Sequence, residues 1–170
     1  MDFRDVAKLS LADYERALRR ALQDLTPVEL RTQPSPTANH ILWLFWHIGR
    51  MEDMWWSYLS GEPEIWESDD WSARLGIDTS RNGYGDTAED IASFPDLTVQ
   101  QIDAYWLASR AHLLSAIQAL GADDLGTTYP GRGREPAPTV AWVLARIPVE
   151  ISQHIGQIAY IRGLLRGPGR

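Results

Sequence analysis

The sequence predicts an all-α fold, a bundle of four principal helices, on three observations. Four stretches repeat apolar residues at helical spacing, several begin with a Ser/Thr-x-x-acid or amide cap pattern, and no segment shows the alternation of a half-buried strand. At 170 residues the chain suits one compact domain, 1–170, burying roughly 70% of the surface that the unfolded chain exposes.

The first helix carries Leu11, Tyr14, Leu18, Ala21, Leu22 and Leu25 on one face. Ser10 and Asp13 form a capping-box pattern at its start, with Asp2 as an alternative, earlier onset. Thr26-Pro27 then marks a turn able to start a short extra helical turn. The second helix is expected from near Thr37, after Pro34 and Pro36, to Gly61-Glu62-Pro63. One face carries His40, Trp43, His47, Met51, Met54 and Tyr58, and the opposite face Ile41, Phe45, Ile48, Trp55 and Leu59. A helix apolar nearly all round must be covered on more than one side, so it is either central or a subunit interface.

The connection from Gly61 to Leu97 is too long for an ordinary loop and is rich in Gly, Pro, Asp and Trp. Within it Asp69-Asp70-Trp71 to Gly76 reads as a short capped helix, and Arg81-Asn82-Gly83-Tyr84-Gly85 as a turn. The third helix opens with the Thr98/Gln101 capping box, continues through Val99, Ile102, Trp106, Leu113, Leu114, Ile117 and Leu120, and closes at Gly121. The fourth begins near Thr139, after Pro136 and Pro138, and ends before Gly167-Pro168-Gly169. Pro148 removes an amide donor and presses on the carbonyl of Leu144, which predicts a kink or a restarted helix just before Glu150.

Composition narrows function. With no cysteine, disulfides, thiolate metal sites and a cysteine nucleophile are excluded. A net charge of −7, with acids spread along the chain, argues against nucleic acid or an anionic membrane as partner. Met1 to Asp5 lacks the apolar core of a signal peptide, and no apolar run nears the ~20 residues of a bilayer span. The expected location is the cytoplasm.

The chemistry-bearing pattern is Glu150-Ile151-Ser152-Gln153-His154, which places Glu150 and His154 one turn apart on one helix face. His47 lies in the apolar run Ile41 to Ile48, where an unsatisfied ring costs free energy. Two imidazoles and a carboxylate from facing helices form a metal-ligand set with an open position. The same residues equally describe a helix-surface ion pair and a core histidine bonded to a backbone carbonyl. Gln157, one turn beyond His154, is a candidate for orienting a ligand or water. His40 is a minor candidate for the same pocket, with a solvent-facing or capping role favoured. Arg50, Arg162 and Tyr160 are possible contacts to an anionic substrate or ordinary snorkelling and interface groups. His112 reads as a surface residue. Trp43, Trp46, Trp55, Trp56, Trp106 and Trp142 occupy core-compatible helical positions, whereas Trp66 and Trp71 in the long connection read as lids over a site or as an interface. Gly131-Arg132-Gly133-Arg134 lacks the features of a phosphate-binding loop and reads as a plain loop.

The segment Asn39 to Asp53, with His47, resembles the second helix of the DinB / YfiT-like metalloprotein superfamily, and Gln153 to Arg162, with His154, resembles its last helix. The resemblance covers most of the chain and implies a DinB-like four-helix bundle with a long connection between helices two and three. It also implies a metal held by one His of the second helix and an H-x-x-x-H pair of the last. His47 and His154 match, and Glu150 replaces the first His of the pair, keeping a donor while adding negative charge. The implied cofactors are a divalent metal (zinc, nickel or iron) at His47, Glu150 and His154, and a low-molecular-weight thiol. The implied activity is metal-dependent thiol S-transfer to a small-molecule substrate. Metal-dependent hydrolysis and a noncatalytic metal-binding or stress-associated bundle are the alternatives, and the two-sided apolarity of the second helix suggests a homodimer under each.

Overall fold

The computed structural model describes residues 1–167, and among them every regular element is helical. The long helices are α1 (Phe3–Leu22), α3 (Ile41–Ser60), α7 (Val99–Ala119) and α8 (Val140–Arg166). Short helices lie between them: α2 (Pro27–Arg31), then α4 (Ile65–Ser68), α5 (Trp71–Leu75) and α6 (Ala88–Ala92) within the long connection. A 3-10 turn at Ala122–Gly126 and a lone bridge between Thr128 and Thr139 complete the path from α7 to α8. No helix among the described residues is long and apolar enough to cross a membrane.

Local cap chemistry sets most helix starts. Thr98 accepts from the amide of Gln101, whose side chain returns the bond, and Thr26 with Glu29 starts α2 in the same way. Thr139 caps α8 through the amide of Trp142. The Ser10/Asp13 start is corrected: Asp2 and Asp5 form the working capping box of α1, and the Ser10 hydroxyl donates inside the helix to the Val6 carbonyl. The expected start of the second helix near Thr37 moves to Ile41, because the His40 ring accepts the amide of Trp43 as N-cap. Gly61, at φ +80°, ends α3 in the left-handed conformation that glycine adopts freely. α8 runs through Pro148 as one helix, so the restart expected before Glu150 does not occur.

α3 is the central element. It packs on α7 and α8, while α1 closes the bundle mainly against α8. Every residue from Ile41 to Arg50 is buried, so this half of α3 is covered by its own chain. Two tryptophan assignments reverse: Trp66 of the long connection is fully buried in the core, whereas Trp142 of α8 is 42% exposed. Trp71 is half-buried against Tyr105.

Two adjacent carboxylates of α3 are fully buried. Glu52 takes a two-pronged bond from Arg110, 2.6 Å from Nε and 2.5 Å from Nη2, and a 2.9 Å bond from the Trp106 indole. Arg110 also donates to the Leu11 carbonyl at 2.9 Å, joining α3, α7 and α1. Asp53 accepts the amides of Ile65 and Trp66, each at 2.9 Å, and the Tyr105 hydroxyl at 2.8 Å, which fixes the start of the long connection. Burial pushes its carboxyl up to about 6, against those hydrogen bonds and the Arg50 charge.

Candidate site between α3 and α8

α3 and α8 face each other so that His47 meets His154, with ring centroids 4.8 Å apart and planes at 80°. The structure therefore brings together the two imidazoles singled out from sequence. His47 is 8% exposed and stacks on Trp43 at 4.9 Å. Its Nδ1 lies 2.6 Å from the carbonyl oxygen of Asn82. A carbonyl only accepts, so Nδ1 carries the proton and Nε2 keeps its lone pair. His154, half-buried, repeats the arrangement with its Nδ1 3.1 Å from Oε1 of Gln157. Burial, and then the charge of His154, pushes the His47 imidazole down to about 4 against the Asn82 carbonyl, so the ring is neutral at pH 7.

The turn at Asn82-Gly83 forms one wall. Gly83 has φ +89°, and a Cβ there would lie 2.9 Å from Trp43 Cζ2 and nearer still to His47 Nδ1, so only glycine lets the backbone approach. Asp86 secures the same turn by accepting from the Trp43 indole at 2.8 Å and from Arg81. Sequence reasoning read this segment as a turn and missed its contact with His47, although Asn-Gly is the signal that such a turn carries.

Glu150 is placed differently. It is 9% exposed, its Oε2 accepts from the Trp55 indole at 2.9 Å, and its Oε1 lies 2.8 Å from both Nε and Nη2 of Arg146. Among the described residues no group of three or more His, Asp or Glu side chains is arranged to hold a metal ion. The imidazole pair suits a metal, since each ring is oriented by an Nδ1 bond of the kind that metal-bound histidines make and leaves Nε2 as donor. The carboxylate suits it only after leaving Arg146.

The remaining candidates have other tasks. His40 is buried, not solvent-facing; it caps α3, and burial followed by the Arg31 charge holds its imidazole down to about 4. Arg50 bonds Tyr105, Asp53, Glu64 and the Arg81 carbonyl, lies 4.6 Å over the Trp66 ring, and is 4% exposed. Arg162 donates to the Gln23 carbonyl at 2.5 Å, and Tyr160 is 66% exposed. His112 is half-buried against Trp56, ring to ring at 4.5 Å. One turn along the α3/α8 seam, Leu44, Gln157, Tyr160 and Ile161 line a groove of about 350 Å³ with the 34–39 segment.

No curated protein matches the chain. Among solved structures it is similar to one described as the conserved protein of a locus from Enterococcus faecalis, with 24% identity, a TM-score of 0.86 and 99% of each chain covered. At that identity the likeness shows the fold. A family model described as the DinB superfamily matches residues 11–158, and this α3/α8 pairing lies inside the match. The chain belongs to the DinB superfamily.

Proposed function

We propose that this DinB-superfamily protein binds a divalent cation between α3 and α8 and serves as a metal-dependent transferase using a low-molecular-weight thiol. The observation that carries the metal reading is the pair of neighbouring imidazoles, each held at Nδ1, His47 by the Asn82 carbonyl and His154 by the Gln157 side chain. His47 and His154 would hold the metal, with Glu150 as third donor once its carboxylate turns from Arg146. Two imidazoles and a carboxylate suit zinc or ferrous iron, and imidazole suits nickel. When bound, such a cation lowers the pKa of a thiol in its open position, which supplies a nucleophile that a chain without cysteine lacks. The thiol reading rests on the family resemblance. The protein's own part is orientation: Asn82 and Gln157 fix the rings, and Trp43 with the Gly83 turn keeps water from one side of His47.

Elemental analysis of protein purified without added metal tests the site. Metal is expected in the parent protein and lost in His47→Ala and His154→Ala; equal content in all three rejects the assignment. Glu150→Gln should weaken binding, and unchanged affinity removes Glu150 from the donor set. After cobalt substitution, a spectral change on adding thiol supports transfer, and no response to any thiol opposes it.

A further inference from the structure

We propose that Asn82-Gly83 is a site of spontaneous chemical modification, at which Asn82 closes a succinimide on the Gly83 nitrogen and reopens as isoaspartate, releasing the turn that holds His47. The chain has two asparagines, Asn39 and Asn82, and of these Asn82 alone is followed by glycine. Glycine has no side chain to shield its nitrogen from the residue before it. The local geometry adds to this. Oδ1 of Asn82 accepts the Tyr84 amide at 2.8 Å, an Asx turn that folds the side chain back over the Gly83 peptide and draws electron density from Cγ. Among the described residues the Gly83 amide donates to no acceptor and Nδ2 of Asn82 has no partner, so neither the attacking nitrogen nor the departing one is tied. Asn82 is half-buried in the connection between α5 and α6, open in part to water.

The reaction balances with water alone. The Gly83 nitrogen gives its proton to solvent base and bonds to Cγ of Asn82; the Cγ–Nδ2 bond breaks, and Nδ2 leaves as ammonia after taking up a proton. Water then opens the cyclic imide. Cleavage between the nitrogen and Cγ gives aspartate, whereas cleavage between the nitrogen and the main-chain carbonyl carbon gives isoaspartate, whose chain runs through Cβ and Cγ and is longer by a methylene. In that product the carbonyl oxygen now 2.6 Å from His47 Nδ1 becomes part of a free carboxylate. Gly83 has no room to absorb the added length, since even a Cβ there would come 2.9 Å from Trp43 Cζ2 and nearer still to His47 Nδ1. The turn must therefore lift from the stacked rings. The same packing requires glycine at 83, so the fitted turn and the labile pair are inseparable.

The full chain, held in warm, mildly alkaline buffer and sampled over time, tests this beside Asn82→Ser and beside the parent unfolded in guanidinium chloride. Serine can still accept the Tyr84 amide but has no amide nitrogen to lose. Pepsin digestion at acid pH, where imides form slowly, and mass spectrometry locate the gain of roughly 1 Da, and labelling by an isoaspartate methyltransferase identifies the product. The folded parent should gain mass at Asn82 and not at Asn39, and should take up label. It should also yield a more acidic form on ion exchange that unfolds at lower urea and has lost the parent's His47 ring N–H resonance. Asn82→Ser should do none of these. A folded parent that stays unmodified until the unfolded chain is fully converted overturns the proposal, because the fold then protects the pair. A modified form with the parent's stability and His47 resonance overturns the release of the turn.

Discussion

Replacing Gly83 by alanine probes whether the Asn82-Gly83 turn is fitted to His47. The backbone at φ +89° costs a side chain about 1–2 kcal/mol. The added Cβ would also press on Trp43 and His47, and neither ring can recede: the two are stacked, 4% and 8% exposed, and Trp43 is held by Asp86. The turn must lift instead, which breaks the bond between His47 Nδ1 and the Asn82 carbonyl and removes about 1 kcal/mol more. The sum is about 2–3 kcal/mol, and for a chain of this size it lowers Tm by ~4–12 °C. Urea unfolding followed by tryptophan fluorescence measures the loss. Proton NMR of the histidine rings should show His47 titrating nearer its ordinary range, because its cover is gone. A Gly83→Ala protein within about 0.5 kcal/mol of the parent, with His47 still resisting protonation, would refute the fitted-turn argument.

Arg110→Ala leaves the Glu52 carboxylate buried without its cation and should cost about 3–5 kcal/mol in urea unfolding, whereas the double change Glu52→Leu/Arg110→Leu should recover most of that loss. For His40 the sign follows from its lowered pKa: the unfolded chain takes up a proton near pH 6.5 and the folded chain only near 4. Stability present above pH 6.5 is thus lost as pH falls toward 4, by about 3 kcal/mol, and His40→Asn, which can still cap α3, should remove that part of the slope. Asp53 acts in the opposite sense, because its raised pKa gives stability that is full below 3.8 and lost as pH rises through about 6. Asp53→Asn should therefore make the pH 4–6 rise in stability steeper, and an unchanged profile would contradict its burial as a charged group.

Local signals were legible in the sequence. Thr26, Thr98 and Thr139 start their helices as read, because a cap needs only residues three positions apart. The all-α architecture was also legible in the apolar periodicity, and the meeting of α3 with α8 followed from the candidate ligand set and the family resemblance that join His47 to His154. The partners of the polar groups were not. Trp55 reaches Glu150 across 95 positions and Arg110 reaches Glu52 across 58, distances over which no spacing rule operates. Arg146 was within reach of inspection, four residues before Glu150, but spacing alone cannot say which way a carboxylate with a neighbour on each side will turn. Trp66 and Trp142 exchanged roles for the same reason. A tryptophan in a connection is drawn inward when Asp53 anchors the amides beside it, whereas Trp142 stays 42% exposed with only one side against Trp55 and Arg134.

Glu52 and Asp53 also decide how α3 is seated. A helix lipophilic around its whole girth could pivot about its long axis and still find greasy contacts at most angles. Successive residues on a helix project roughly 100° apart, so these two anions hold different partners, one Arg110 of α7 and through it α1, the other Tyr105 of α7 and the amides of α4. Any pivot would strand both of them together, and this pair of bolts keeps His47 turned toward α8.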